Sequence, residues 1–360
     1  MKAERTKTKL VLSLFVLGCT LTFLAFCMAE DTDPGMPSGP VKRSDAQPIL
    51  ELPFTISESG SYCLTQNLTH LDRYTNAIEV TADNVTIDLN GYSIIGPTTA
   101  YNETCSGIHM NGRKNVEIRN GTITNFPYVG IYDEDSGETM EANGHRIIDV
   151  RVTSIGAEGI ILWGLNHTIR GCTITQTQVD IEQGFGAITC GHLCMVVGNL
   201  VSGNGIIGIR TISGCLIRDN TLADNSFGII PGNGCSVIDN AVSYNYADGI
   251  WIRENDGCLV RGNTLKDNVR NGIQVEGYDN VIEGNLISSS EVGIYFVYDL
   301  NVYANNRALY NGINFGGAVP TGVYDGGGNI SAGTMVGGSV GAAELQMKVE
   351  SRRLGKIEKK

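Results

Sequence analysis

Residues 208–227 read GIRTISGCLIRDNTLADNSF, residues 228–248 read GIIPGNGCSVIDNAVSYNYAD, and residues 249–271 read GIWIRENDGCLVRGNTLKDNVRN. Each block opens on a Gly-Ile pair, and the series Gly208-Ile209, Gly228-Ile229, Gly249-Ile250, Gly272-Ile273, Gly293-Ile294 advances by 20, 21, 23 and 21 residues. A period of this length belongs to a solenoid of short strands rather than to a globular α/β domain. Asn199, Asn220, Asn240, Asn263 and Asn285 keep step at 21, 20, 23 and 22 residues. So do Cys194, Cys215, Cys235 and Cys258, at 21, 20 and 23, with Asn280 next in that column. Registers in phase define one rung per repeat. Gly107-Ile108, Gly130-Ile131 and Gly159-Ile160 carry the pattern back through longer rungs.

Within a rung the apolar residues alternate, which is strand periodicity. The phrases CLIRDNTL, CSVIDNAV, CLVRGNTL and NVIEGNLI place apolar residues on both sides of an Asn that sits at the bend. Asn tolerates left-handed backbone, and its amide can bond the same amide one rung away, so the Asn column reads as a device for turning the coil. Eight cysteines follow residue 29, and those in phase with the repeat read as buried, reduced packing residues. Cys190-Gly-His192-Leu-Cys194 lacks the four ligands of a structural zinc site.

From about Ile49 to Asn311 these I-x-x-N-x-I and G-I-x-I phrases resemble the right-handed parallel β-helix family, the pectin-lyase-like superfamily. The resemblance implies an all-β solenoid with three short strands per rung, about nine to ten rungs at ~4.8 Å, and an N-terminal cap. The expected organisation is a signal peptide over 1–29, a linker over 30–48, the cap over 49–76, the β-helix over 77–313, and a Gly-rich segment with a charged tail over 314–360. The signal reading rests on a basic start, an apolar run from Leu10 to Phe26, and small residues Cys27 and Ala29 before Glu30. An uncleaved N-terminal anchor is the rival reading of the same run. The implied location is secreted, periplasmic or cell-surface.

The chain carries a formal charge of −12, and removal of residues 1–29 leaves 22 basic against 37 acidic residues, or −15. Such a surface repels phosphate backbones, so no nucleic-acid partner is expected. No segment after Glu30 is apolar enough to span a membrane, and a monomer is expected.

In a Gly-Ile strand the Ile points inward, so the next residue and the one two further on point out. The first outward column is then His109, Tyr132, Ile161, Thr189, Arg210, Ile230, Trp251, Gln274 and Tyr295, and the second includes Trp163, Arg253 and Glu276. Aromatic rings and charged forks on an exposed strand face have the composition of a sugar-binding surface. Trp163, Arg210, Trp251, Gln274 and Tyr295 are therefore the candidate substrate-binding residues for a polysaccharide or glycan, with Trp251 as an open stacking anchor. Arg253 and Glu276 could instead form an ordinary cross-strand ion pair.

The resemblance brings polysaccharide lyases, glycosidases and uronan epimerases into view, but their signatures are missing. There is no paired-Asp Asn-Thr-Asp motif, Gly191-His192 lacks a following Gly, and no Asp-Pro-His-Asp occurs. Arg210 and Arg253 are candidate bases for a lyase, and Asp256 and Asp279 a candidate hydrolytic pair if they stack; Glu276 completes the catalytic candidates. No cofactor is implied beyond Ca²⁺, for which Asp133, Glu134 and Asp135 in an acidic loop are the candidate ligands. A non-catalytic structural or adhesive scaffold is the alternative. A third reading, periplasmic β-helix proteins of metal-enzyme maturation, is supported only by His192 and the cysteines.

Overall fold

The computed structural model describes residues 46–97, 104–133, 143–178 and 185–334. The expected signal peptide and charged tail, most of the linker, and most of the acidic loop lie outside them. Among the described residues helix is confined to one 3-10 turn at Gly322–Tyr324, and no helix is long and apolar enough to cross a membrane. Everything else regular is parallel strand, wound into rungs of three. One sheet stacks twelve strands, one per rung, and holds the Gly-Ile pairs; a second of twenty-two strands holds the other two strands of each rung.

The core is a stack of identical side chains. Ile209 pairs in register with Ile229, Ile229 with Ile250, Ile250 with Ile273 and Ile273 with Ile294, and all five are fully buried. Ile217, Val237, Val260 and Ile282 form a second apolar column, and Leu222, Val242, Leu265 and Ile287 a third. Each buried aliphatic side chain contributes about 1.5–3 kcal/mol, so the three columns supply the driving force of the rod. In the regular rungs the glycine before the isoleucine is set by close approach. A Cβ on Gly208, Gly249 or Gly272 would lie 2.6–2.7 Å from the carbonyl oxygen of the glycine in the next rung. Ala77 and Ala187 take that place in two of the remaining rungs.

The corners share one arrangement in most rungs. A residue in left-handed backbone turns the chain, and the residue after it sends a side-chain acceptor inward to the backbone N–H of the preceding rung. Between the second and third strands the turning residues include Asp219, Gly262 and Asn305, with φ of 57°, 69° and 56°. The asparagines that follow form a ladder, Asn199 to Asn220, Asn240, Asn263, Asn285, Asn306 and Asn329, each Nδ2 donating to the next Oδ1 at 2.9–3.1 Å. The left-handed conformation expected of these asparagines thus belongs to the residue before them. A second ladder, Asn204, Asn225, Asn245 and Asn268, does the same at the third corner.

The first corner holds the cysteines. The backbone N–H of Cys194 donates to the Sγ of Cys215, and that of Cys215 to the Sγ of Cys235, both at 3.3 Å. Asn280 and Asn301 continue the column with oxygen acceptors, and His145 and His167 begin it, accepting at Nδ1 from the N–H of Val116 and of His145 at 3.1 Å. Thiol, imidazole and amide fill one structural place.

The rod is longer than nine to ten rungs. Strands at Phe54–Ile56 and Ile78–Val80 pair in parallel with each other and belong to the stack, although the first carries no Gly-Ile pair. Residues 49–76 therefore contain strands of the stack. At the other end Ile294 pairs with Phe315, which leaves Ile313 54% exposed, so Gly312-Ile313 is not a further core pair. Pairing continues to the strand at Ile330–Thr334.

Candidate functional site

The outward column of the twelve-stranded sheet is in register as the alternation requires: Glu79 with His109, His109 with Tyr132, Tyr132 with Ile161, Ile161 with Thr189, Thr189 with Arg210, Arg210 with Ile230, Trp251 with Gln274, and Gln274 with Tyr295. Exposure along it is uneven. Ile161, Thr189 and Ile230 are buried, Arg210, Trp251 and Gln274 are half-buried, and Tyr295 is exposed.

Rings and guanidinium groups join the candidate residues into a strip. Trp163 meets Phe185 edge-on at 5.7 Å, and the Arg210 guanidinium lies 5.7 Å from the Phe185 ring. Two rungs on, Trp251 stacks on Phe227 at 5.2 Å and carries Arg253 at 5.3 Å and Arg270 at 5.7 Å. Arg270 also donates to Gln274 Oε1 at 3.1 Å, and Gln274 in turn donates to Glu276. Arg270, Asn271, Gln274, Glu291, Val292 and Tyr295 line a shallow pocket of about 270 Å³. The strip therefore holds two clusters on one face, Trp163 and Arg210 about Phe185, and Trp251 and Gln274 with Phe227 and Arg270, with Tyr295 paired to Gln274 one rung on. Phe185, Phe227 and Arg270 precede the Gly-Ile strand and were outside the outward columns.

Two expectations change. Trp251 is not an open platform, because Phe227, Arg253 and Arg270 already lie against its ring; an open platform is instead the stacked pair Tyr278 and Tyr298, 4.6 Å apart and 39% and 41% exposed. Arg253 lies over Trp251 rather than pairing with Glu276.

Charge is arranged unevenly. Asp248, fully buried, accepts from Arg270 Nε at 2.9 Å and from Asn271 N and Nδ2 at 3.0 and 2.8 Å, and this carboxylate pushes the Arg270 pKa up. Arg210 is shifted down, first by burial and then by the like charge of Arg253.

The candidate hydrolytic pair, Asp256 and Asp279, is not stacked. Leu259 pairs with Val281, which sets Asp256 beside Tyr278 and Asp279 beside Gly257, one residue out of step. Asp256 accepts the Tyr278 N–H at 2.7 Å, and Asp279 is a left-handed corner residue. Asp133 is likewise structural: fully buried, it accepts from Gly112 N at 2.9 Å and from Asn143 Nδ2 and His145 Nε2 at 3.0 Å. These donors occupy the oxygens that calcium would need, and Glu134 and Asp135 lie outside the described residues. At the opposite end of the face His109 and Tyr132, the first two residues of the outward column, stack at 5.2 Å, and His109 Nδ1 lies 2.9 Å from Oε1 of Glu79, which the Gly-Ile series did not flag. Glu79 follows Ala77-Ile78, so the missing glycine hid it.

Comparison with known proteins now has a geometry to meet. A family described as right handed beta helix region matches residues 106–241, and one described as periplasmic copper-binding protein (NosD) matches residues 194–325. No curated protein sequence matches the chain. Among solved structures, a mutant of the periplasmic alginate epimerase AlgG is similar at a TM-score of 0.62 and 15% identity, over 78% of this chain and 76% of that one. A tailspike protein mutant of E. coli bacteriophage HK620 is similar at a TM-score of 0.54 and 12% identity, over 76% of this chain and 60% of the other.

The described residues do not fit a copper centre. The Sγ atoms of Cys215 and Cys235 and the Nδ1 atoms of His145 and His167 accept backbone N–H groups, and His192 Nδ1 lies 2.6 Å from Ser213 Oγ. Among the described residues no three His, Cys, Asp or Glu side chains converge as a metal-binding group. What the comparisons and the geometry share is the coil itself: the chain folds as a right-handed parallel β-helix.

Proposed function

We propose that this protein is a periplasmic or extracellular carbohydrate-binding β-helix that holds a glycan chain along its Gly-Ile face. The observation that carries this reading is the strip from Trp163 through Phe185, Arg210, Phe227, Trp251, Arg253 and Arg270 to Tyr295, in which rings and guanidinium forks recur on rungs ~4.8 Å apart. Flat rings pack on sugar faces, and guanidinium forks bind their hydroxyls and carboxylates. Similarity in fold to a periplasmic alginate epimerase supports both the substrate class and the location.

Calorimetry against neutral and acidic oligosaccharides tests the proposal. Tyr295→Ala, at an exposed position in the pocket, is expected to weaken binding about 30-fold, the equivalent of about 2 kcal/mol at a hot spot, without moving the melting temperature. Absence of binding across the panel would leave the scaffold reading in its place.

A further inference from the structure

The pocket at the end of the strip, between Arg270, Gln274, Glu291 and Tyr295, has a volume of about 270 Å³. That is below the roughly 300–1,000 Å³ of sites for drug-sized ligands, so the pocket suits one sugar unit. Its donors are largely committed. Arg270 Nε and Nη2 both donate to buried Asp248, Nη2 also donates to Gln274 Oε1 at 3.1 Å, and Asn271 Nδ2 donates to Asp248 Oδ1 and to Gln274 Oε1, each at 2.8 Å. Gln274 Nε2 donates in turn to Glu276.

The acceptors are not matched in the same way. Asn271 pairs with Val292, so Glu291 stands one rung on from Arg270, in the place where a cross-strand ion pair would form. Arg270 turns instead to Asp248, and among the described residues neither Glu291 nor Glu276 has an ion pair. Both carboxylates are near enough to Arg270 to add, after Asp248, to the rise in its pKa. One guanidinium thus answers three carboxylates, and the fully buried one holds it. Releasing Arg270 to a ligand anion would leave Asp248 buried and unpaired, which is strongly unfavourable. Exposed Glu291 shares the pocket with the exposed ring of Tyr295, and a carboxylate beside a ring face attracts a cation. The formal charge of −12 acts in the same direction, drawing cationic polymers to the surface and repelling anionic ones.

We propose that this pocket is a subsite for an amino sugar with a free ammonium group, which the Glu291 carboxylate holds while the sugar ring packs on Tyr295. The proposal rests on the carbohydrate-binding reading and narrows it to glycans with unacetylated amino sugars. An ammonium has three N–H donors and no acceptor, which matches a pocket whose own donors are engaged. The N-acetylated form of the same sugar keeps the ring and its hydroxyls and loses the charge.

The test is calorimetric titration of the intact protein at about pH 6, where the sugar amine is protonated, with glucosamine and galactosamine oligosaccharides, each paired with its N-acetylated counterpart. The expected result is about tenfold tighter binding of the amine member of at least one pair, with a preference that shrinks as salt is raised. Glu291→Gln, at an exposed position, should remove most of that preference, with circular dichroism as the control for folding, whereas Tyr295→Ala should weaken both members of the pair. Equal affinity for both members of every pair overturns the ammonium subsite while leaving the carbohydrate reading standing. An undiminished preference in folded Glu291→Gln also overturns it. Failure of these and of the neutral and acidic oligosaccharides to bind defeats the carbohydrate reading and the subsite together.

Discussion

At the scale of single residues, the corner acceptors decide whether the coil closes. Asn240 Oδ1 accepts from both the backbone N–H and the Nδ2 of Asn220, each at 3.0 Å in the core. Asn240→Ala leaves the Asn220 backbone N–H buried without its acceptor and the Asn220 Nδ2 with the Val196 carbonyl alone, and is expected to cost about 2–4 kcal/mol, read as a lower urea midpoint with an unchanged m-value. His167 makes a second prediction. Its Nδ1 accepts a backbone N–H, so the proton sits on Nε2, 2.6 Å from the Trp163 carbonyl. Burial first, and then the neighbouring His145, push its pKa from 6.5 down to about 4. The unfolded chain takes up a proton near pH 6.5 while the fold resists until about 4. Stability from this group is therefore full above pH 6.5 and falls through that window by up to about 1.4 kcal/mol per pH unit. Imidazole NMR should show His167 still neutral at pH 5; titration near 6.5 would contradict the buried corner. The Asn199 ladder was legible because one residue type repeats at one spacing. The histidines were not, because the corner selects an acceptor atom and not a residue type, and no periodicity in the sequence joins His145 and His167 to Cys194.

At the scale of a rung, glycine positions separate into two kinds. Gly249 lies where a Cβ would meet the Gly272 carbonyl oxygen at 2.7 Å, whereas Gly234, with φ of 61°, has nothing within 4 Å of that position. Gly249→Ala should thus destabilise by about 1–3 kcal/mol through overpacking. Gly234→Asn should cost much less, since Asn tolerates left-handed backbone and Asp279 already occupies the equivalent corner place. A melting-temperature comparison of the two variants checks the distinction, and equal losses would contradict it. The rung also explains why Asp256 and Asp279 miss each other. Gly249 to Cys258 spans nine residues and Gly272 to Asn280 spans eight, so the longer arm carries one more residue around the corner. Strand alternation gave the inward and outward sides correctly. It could not give Phe185, Phe227 or Arg270, which reach the face from the segments before the strands, where no period constrains them.

At the scale of the whole molecule, among the described residues one continuous core runs beneath the face that carries the aromatic strip. Cys194, Cys215, Cys235 and Cys258 are buried along it; the hydrogen bond to a neighbouring thiol first, with desolvation adding to it, raises the pKa of Cys194, Cys215 and Cys235, and desolvation raises that of Cys258, to about 12 for Cys215 and Cys258. Thiol reagents should leave these four unmodified until the rod unfolds; rapid labelling of the folded protein would contradict the packing role. The fold was readable because every rung repeats the same physical solution, whereas the face was only partly readable because each rung there differs. The central claim, that a glycan lies on this face, has a built-in reporter. The chain has two tryptophans, Trp163 and Trp251, and both stand in the strip. Titration of the folded protein with oligosaccharides, followed by intrinsic tryptophan fluorescence alongside calorimetry, should give a saturable spectral change with the same midpoint as the heat of binding. Heat of binding with no change in tryptophan emission would put the glycan elsewhere on the molecule and contradict the account.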